Sequence, residues 1–179
     1  METSLNGWPT IQSAADPNLV AIKIPGTAHT IHAAKGPHLV FAAFLADWHR
    51  LMPARLKLTP NQDVACWNYR KARAANGFSN HASGTAVDVD WNTILLADNK
   101  PHMTAEENTI LKGILALYVC HDGHHILANG EHWGLHDGMH TELSQGWDTE
   151  AGAKRNTTAH DVQEVITKLK IDPHGVRPI

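Results

Sequence analysis

The chain has 179 residues, of which 42% are hydrophobic and 18% are charged, so it can bury a core as one domain without disulfide staples. Its formal net charge of -3 argues against a nucleic-acid partner, which normally requires a basic surface. The first residues lack the basic start and apolar run of a secretory signal, and no segment has the ~20 apolar residues of a membrane span. We therefore expect a single monomeric domain over residues 1–179, with its core at about 19–170, that is synthesised in the cytoplasm.

The two cysteines, Cys66 and Cys120, lie far apart in the sequence and form no Cys-x-x-Cys pair. Free thiols in a reducing cytoplasm are the default expectation, although the sequence is compatible with a disulfide. Each cysteine sits in an apolar run, so neither is expected to act as a nucleophile.

The first predicted elements are a strand and a helix. Leu19–Ile24 has the composition of a short strand, which Pro25-Gly26 ends as a turn. Gly36-Pro37 opens a helix that runs to Met52 and is closed by Pro53. Apolar side chains recur along this helix at core-facing spacings, at Leu39, Phe41, Phe44, Leu45, Trp48 and Leu51.

The middle of the chain predicts two strands and a second helix. The strands are Val64–Tyr69 and Thr85–Asp90, and the second alternates polar or small residues with apolar ones. Thr104 caps the helix, because Glu107 three residues later completes a capping box. The buried stripe of this helix consists of Ile110, Leu111, Ile114, Leu115 and Leu117.

Two further strands around Ile126 and His140 are followed by a last helix at Ala159–Leu169. One face of that helix is apolar and carries Val162, Val165, Ile166 and Leu169. The tail Asp172–Ile179, with two prolines and a glycine, is expected to be loose or the remnant of a linker. Together these elements predict an α+β fold, in which helices pack on one side of a small, mainly antiparallel sheet and a cleft occupies the other.

The residues that predict the metal lie in two segments. Ser79 to Asp90 read Ser-Asn-His-Ala-Ser-Gly-Thr-Ala-Val-Asp-Val-Asp, and Asp137-Gly-Met-His140 begins 49 positions after Asp88. Gly84 permits a sharp turn, so His81 can swing back toward Asp88 on the strand that follows. His81, Asp88 and His140 then supply the three protein ligands of a catalytic zinc site, and Asp137 is left to act as a general base.

On the predicted strand, Ala86, Asp88 and Asp90 share one face, with the valines between them on the other. The small side chain of Ala86 leaves room for a metal beside Asp88. Asp90 is expected to be solvated, or to cap the turn at Trp91-Asn92, rather than to be a fourth ligand.

Other residues offer competing interpretations. The chain contains 14 histidines, and five of them lack the turn and strand context of His81 and are taken as non-ligands: His121, His124, His125, His132 and His136. Glu131 is a rival general base to Asp137, but nothing in the sequence fixes it beside His140. The histidine-rich stretch Val119–His132 is either a lid or a longer hairpin.

Ser79-x-His81-x-x-Gly84-x-Ala86-x-Asp88 with Asp137-x-x-His140 resembles the signature of the zinc-dependent D-Ala-D-Ala carboxypeptidase and L-alanyl-D-glutamate peptidase family. Within that family, the chain is most similar to the peptidase domains of phage endolysins. The short segments Trp67-x-Tyr69-Arg70 and Thr141-Glu142 support the resemblance, which covers about Leu19 to Glu142. It implies that His81, Asp88 and His140 bind one Zn²⁺ and that Asp137 takes a proton from the attacking water.

The resemblance also implies residues that contact the substrate. Arg70 would hold it and stabilise the negative oxygen that develops on the scissile carbonyl, with Arg73 as the alternative. Ser79 would bind substrate, and Trp133 would line the cleft with Gly134. The family usually has a second glycine where this sequence has Leu135, so the shape of the groove is expected to differ there.

The function that the resemblance implies is hydrolysis of the L-Ala to D-Glu bond in peptidoglycan stem peptides by a metal-activated water. One alternative is a D-Ala-D-Ala carboxypeptidase, because both reactions use this ligand set. Another is a non-catalytic zinc-containing module that binds the cell wall. Because the chain has no signal peptide, it is expected to reach the wall through a membrane pore made by another protein, as in phage-induced lysis.

Overall fold

The computed structural model describes residues 1–61, 63–73, 75–91, 93–94, 102–134 and 136–178. Within them lie the helices α1 (Pro37–Leu51), α2 (Ala105–Leu115) and α3 (Ala159–Leu169). The strands are β1 (Leu19–Lys23), β2 (Thr30–Ala34), β3 (Val64–Ala65), β4 (Ala86–Val89), β5 (Leu127–Gly130) and β6 (Asp137–Leu143). The predicted α+β class is confirmed. No helix among the described residues has both the length and the apolar character needed to cross a bilayer.

The strands form two antiparallel sheets rather than one. β1 and β2 make a hairpin of their own, while the other four strands have the order β3-β4-β6-β5. β2 was not predicted, because Thr30–Ala34 is short and its two final alanines weaken the alternation. In the larger sheet Asp88 of β4 lies directly opposite His140 of β6, which brings the two segments of the motif together.

The helices and the apolar face of the larger sheet share one core. Val87 and Val89 of β4 belong to it, as do Phe44 and Trp48 of α1, and all four are 0% exposed. The indole Nε1 of Trp48 donates to the carbonyl of Leu56 at 2.7 Å, so its one polar atom is satisfied inside the core. Because side chains alternate along β4, the burial of the valines leaves Asp88 on the opposite face of the sheet.

Capping boxes fix the start of two helices. The hydroxyl of Thr104 accepts from the Glu107 amide at 3.2 Å, and the Glu107 carboxylate accepts from the Thr104 amide at 2.8 Å, as the sequence predicted. Thr158 and Asp161 make the same reciprocal pair at the start of α3. Glu107 also forms an ion pair with Arg55, which ties α2 to the segment that follows α1.

Two predicted strands are shorter in the structure. β3 ends at Ala65 instead of Tyr69, because the Trp67 and Asn68 amides donate to the carbonyls of His32 and His81 instead of to β4. β4 ends at Val89, since Asp90 adopts a left-handed conformation with φ of 53°. Asp90 is 3% exposed, so the expectation that it is solvated is wrong. Its carbonyl accepts the amides of the turn that follows, and Asn92 in that turn lies outside the described residues.

The C-terminal residues 172–178 pack against α1, although the sequence predicted a loose tail. Nε and Nη2 of Arg177 donate to the two carboxylate oxygens of Asp47 at 2.7 and 2.9 Å. Asp47 is 4% exposed and also accepts from the Tyr118 hydroxyl at 2.8 Å. A buried carboxylate is stable only when it has such partners. The ion pair between Arg177 and Asp47 therefore holds the tail against α1. Ile179 lies outside the described residues.

The turn before β4 depends on the glycine at position 84. Gly84 has φ of 65°, and a Cβ there would lie 2.7 Å from the backbone nitrogen of Ala34. We expect Gly84→Ala to lower the free energy of unfolding by about 2 kcal/mol or more, through strain and this clash. Urea unfolding measures the change.

The matched control is Gly113→Ala in α2, where a Cβ would meet nothing within 4 Å. We expect it to raise the free energy of unfolding by about 0.5–1 kcal/mol, because alanine is the better helix former. A Gly84→Ala variant as stable as the unmodified chain would contradict this account of the turn.

Candidate metal centre

A short helical turn positions the backbone of His81, and a hydrogen bond orients its imidazole ring. Ser79 caps the 3₁₀ turn Asn80–Ser83, since its hydroxyl accepts from the His81 amide at 3.3 Å, and Gly84 ends the turn. The imidazole is 2% exposed, and its Nδ1 lies 2.5 Å from the carbonyl oxygen of Cys66. A carbonyl only accepts, so Nδ1 carries the proton and Nε2 presents a lone pair to the centre.

His140 is oriented in the same way by an acid on its own strand. Its Nε2 lies 2.8 Å from Oε2 of Glu142, two residues along β6 and therefore on the same face. This contact places a proton on Nε2 and turns Nδ1 toward the centre. Metal-ligating histidines commonly donate their outer N–H to a carboxylate or a backbone carbonyl, and the two rings show one example of each.

Three acceptor atoms converge at the centre. Nε2 of His81 lies 3.1 Å from Nδ1 of His140, and Oδ1 of Asp88 lies 3.1 and 2.9 Å from these two nitrogens. Lone pairs this close repel one another unless a proton or a cation lies among them. In a tetrahedral zinc site, ligands at 2.0–2.1 Å from the metal are about 3.3 Å apart, so the spacing suits such an ion. The three residues could therefore hold a metal ion.

The electrostatics of the centre favour a positive charge. Burial alone would raise the pKa of Asp88, but hydrogen bonds with His140 and His81 hold it well below its usual range. Burial alone would lower the pKa of His140, and its contacts with Asp88 and Glu142 outweigh that effect and raise it to about 10. A bound cation would supply the same positive charge in place of a proton.

The Glu142 carboxylate forms several of the hydrogen bonds around the candidate ligands. Besides His140 it contacts Nδ2 of Asn80 at 2.6 Å and Nε2 of Gln145 at 2.6 Å, and it is 3% exposed. These donors keep a buried carboxylate ionised and aimed at the imidazole. The sequence places Glu142 on the face of His140, but the contacts with Asn80 and Gln145 follow only from the fold.

Asp137 lies at the start of β6, where its backbone packs against β5. A Cβ on its partner Gly130 would fall 2.4 Å from the Asp137 carbonyl oxygen, so only glycine fits there. Oδ1 of Asp137 is buried and has no hydrogen-bond partner in the described part of the chain. Burial raises the pKa of this carboxyl. The nearby Asp88 also raises it, whereas His140 and His81 lower it. Asp137 is thus near the centre without being one of the three converging ligands.

The predicted substrate residues have different surroundings. The Arg70 guanidinium donates to the Lys71 carbonyl at 3.3 Å, and its own carbonyl accepts from the Ser79 amide. Ser79 is 6% exposed and positions His81, so substrate contact by either residue stays a prediction. The Trp133 ring lies 5.5 Å from that of His140, which puts it beside the centre. Leu135 and the groove shape inferred from it lie outside the described residues.

The rival base Glu131 is closer to β6 than the sequence suggested. It is 3% exposed, and its Oε2 would lie 2.5 Å from a Cβ on Gly138. This oxygen has no partner in the described ranges, and Oε1 accepts from the Met103 amide at 3.4 Å. Glu131 therefore packs beneath the strand that carries His140, and no described contact joins it to the three ligands.

The histidine-rich stretch begins with a hairpin that leads into β5. Val119 pairs with His125, and the Ile126 amide donates to the Tyr118 carbonyl on the way into β5. His124 is 0% exposed, and its ring nitrogens contact the Thr157 hydroxyl and the Lys154 amide, each at 3.1 Å. These contacts make His124 part of the packed interior.

A second group, Cys120 with Asp161 and Glu164, has the residue types of a metal site. Its members already have other partners, since Asp161 caps α3 and pairs with Arg155. Glu164 contacts the ring of His121 at 2.8 Å. Burial raises the pKa of the Cys120 thiol to about 12, which disfavours the thiolate that a metal requires. Both cysteines are free thiols.

Comparison of the chain with protein-family models, with curated proteins and with solved structures found no match. The residues of the centre and their geometry are therefore what support a metal site here.

The ligand set predicts how zinc affinity responds to substitution. We expect one equivalent of Zn²⁺ to bind, and Asp88→Asn and His81→Ala each to weaken binding about 100-fold or more, because each removes one of three ligands. Titration against a chromophoric chelator measures the affinity, and thermal unfolding checks that each variant folds.

The control for this titration is His121→Ala, whose side chain is 78% exposed and contacts Glu164 of the second group. It should leave the affinity and the stoichiometry unchanged. Unaltered zinc affinity in a folded Asp88→Asn variant would rule out the centre.

A separate prediction concerns the hydrogen bond to the outer nitrogen of His140. Glu142→Gln removes the charge that orients this ring, and we expect zinc affinity to fall about 10- to 100-fold. Glu106→Gln, on the exposed first turn of α2, is the matched control and should have no effect. If both variants bind zinc equally well, the charge of Glu142 does not contribute to zinc affinity.

Proposed function

We propose that the chain is a zinc-dependent peptidoglycan peptidase of the endolysin type, which hydrolyses the L-Ala to D-Glu bond of stem peptides. The observation that carries the proposal is the convergence of His81, Asp88 and His140 with the partly buried carboxyl group of Asp137 close by. A site that only bound metal would need the three ligands and no further acid. The spaced motif, which resembles that peptidase family, supports the choice of substrate.

His81, Asp88 and His140 would hold the zinc, with His81 bound through Nε2 and His140 through Nδ1. When bound, zinc lowers the pKa of a water and polarises a carbonyl, which is the chemistry that peptide hydrolysis needs. The hydrogen bonds from His81 to the Cys66 carbonyl and from His140 to Glu142 fix both rings before substrate arrives. The chain itself thus contributes orientation of the ligands.

Asp137 would take the proton from the attacking water and return it to the leaving amine. Its Oδ1 is buried and makes no hydrogen bond among the described residues, so no other group of the described chain competes for it. Burial raises its pKa, which makes the carboxylate a stronger base than an exposed aspartate. The amine therefore leaves in its neutral form once the carbon–nitrogen bond breaks.

Arg70 would stabilise the oxygen of the scissile carbonyl as it becomes negative. Within the described ranges its guanidinium makes no ion pair, and its one hydrogen bond goes to a neighbouring carbonyl. A small side-chain rotation would release that bond, and a planar guanidinium suits both a carbonyl oxygen and a carboxylate. Arg73, which is exposed, remains the alternative for this role.

The proposal predicts loss of turnover without loss of metal in Asp137→Asn. Purified cell wall is digested with the chain, and the newly freed amino groups are identified by mass spectrometry. We expect free D-Glu amino groups, inhibition by a chelator with recovery on adding Zn²⁺, and a rate about 10²–10⁴-fold lower in Asp137→Asn. Asp16→Asn, in an exposed loop, is the control and should retain the full rate.

The products also discriminate among the other candidate functions. Release of terminal D-Ala without free D-Glu amino groups would indicate the carboxypeptidase. Zinc-dependent retention on the wall with no new amino group would indicate a binding module. A near-normal rate in Asp137→Asn would remove the general-base assignment.

A further inference from the structure

One large aromatic side chain beside the candidate centre is left in solvent. Trp147 is 58% exposed, whereas the other side of its ring contacts Trp133 at a centroid distance of 5.4 Å. Trp133 in turn lies 5.5 Å from the ring of His140. The two indoles therefore form a continuous aromatic surface that leads from a candidate zinc ligand out to solvent.

The turn that carries Trp147 is held rigidly to the centre. Oδ2 of Asp148 accepts from the Gln145 amide at 2.6 Å, and its Oδ1 accepts from Nε1 of Trp133 at 3.1 Å. Gln145 donates from Nε2 to Glu142, the acid that orients His140. These hydrogen bonds hold the backbone that carries the exposed indole, and the ring itself contacts Trp133. Exposed aromatic groups beside a candidate site are typical of binding surfaces.

The chemistry of an exposed indole favours a sugar ring in this position. The face of the ring is electron-rich and attracts the weakly positive C–H groups on the flat face of a pyranose. The hydroxyl groups of the sugar stay at its rim, where water can solvate them. A single tilted indole face suits one such ring better than an extended peptide, whose backbone groups need hydrogen-bond partners.

The substrate of the proposed reaction places a sugar at the required distance. In a stem peptide, L-Ala is joined to the lactyl group of an N-acetylmuramyl ring, and L-Ala with the lactyl group spans about two residue lengths, or roughly 7 Å. Two ring-to-ring steps of 5.5 and 5.4 Å lead from His140 through Trp133 to Trp147, so this reach is longer than one step and shorter than the two placed end to end. For cleavage before the terminal D-Ala, the sugar would be roughly 10 Å farther away.

We infer that Trp147 is the platform for the N-acetylmuramyl ring attached to the L-Ala residue, so that the chain acts on glycan-linked stem peptides in preference to free peptides. This inference rests on the proposed function, because the scissile bond sets the distance to the sugar. Trp147 then determines specificity, while Trp133 forms the wall between the platform and the metal ligands.

The test compares two substrates that differ only in the sugar: an N-acetylmuramyl stem peptide and the same peptide with an acetylated L-Ala. We expect kcat/KM to be higher for the muramyl substrate, and Trp147→Ala to lower it about 3- to 10-fold for that substrate alone. Trp147→Phe should restore part of the loss. Leu51→Ala, another exposed apolar side chain at 40% exposure, should change neither substrate.

Binding in an inactive variant separates this inference from the proposed function. Calorimetry with zinc-loaded Asp137→Asn should show tighter binding of the muramyl peptide than of the acetyl peptide, and Trp147→Ala should remove the difference. If the wild-type chain hydrolyses neither substrate, the proposed function fails, and the binding difference still decides the role of Trp147. Equal binding of both peptides, or an equal loss for both in Trp147→Ala, would overturn the inference.

Discussion

The structure depends on holding three lone-pair atoms within about 3 Å of one another, an arrangement that only a positive charge makes favourable. The pairing of β4 with β6 places Asp88 opposite His140, and the turn that ends at Gly84 brings His81 to the same point. The outer nitrogens of both rings are committed elsewhere, to the Cys66 carbonyl and to Glu142. The fold thus fixes both the positions of the three candidate ligands and the direction in which the two imidazole lone pairs point.

The hydrogen bonds around these ligands extend to the surface where substrate would lie. Glu142 contacts His140 on one side and Gln145 on the other, and the turn that follows presents Trp147 to solvent. Asp148 of this turn fixes the indole of Trp133. One network of hydrogen bonds therefore orients a candidate metal ligand and the aromatic surface beside it.

The sequence predicted the features that depend on local patterns. The bounds of α3 and the capping box of α2 were predicted correctly, because 3.6-residue periodicity and a Thr-x-x-Glu spacing act within a few residues. The approach of His81 to Asp88 followed from a glycine turn and a strand, whereas His140 was chosen because a catalytic zinc site has three protein ligands. The Cys66 carbonyl that orients His81 could not be predicted, since any residue type supplies a carbonyl. The docking of Arg177 on Asp47 was missed because it joins residues 130 positions apart in the sequence.

Anomalous diffraction at the zinc edge from crystals grown with Zn²⁺ tests the central claim most directly. The account predicts one strong peak bonded to Nε2 of His81, Nδ1 of His140 and a carboxylate oxygen of Asp88, with Asp137 outside the inner ligands. A peak at Cys120, Asp161 and Glu164 with none at this centre, or bonding through Nδ1 of His81, would contradict it.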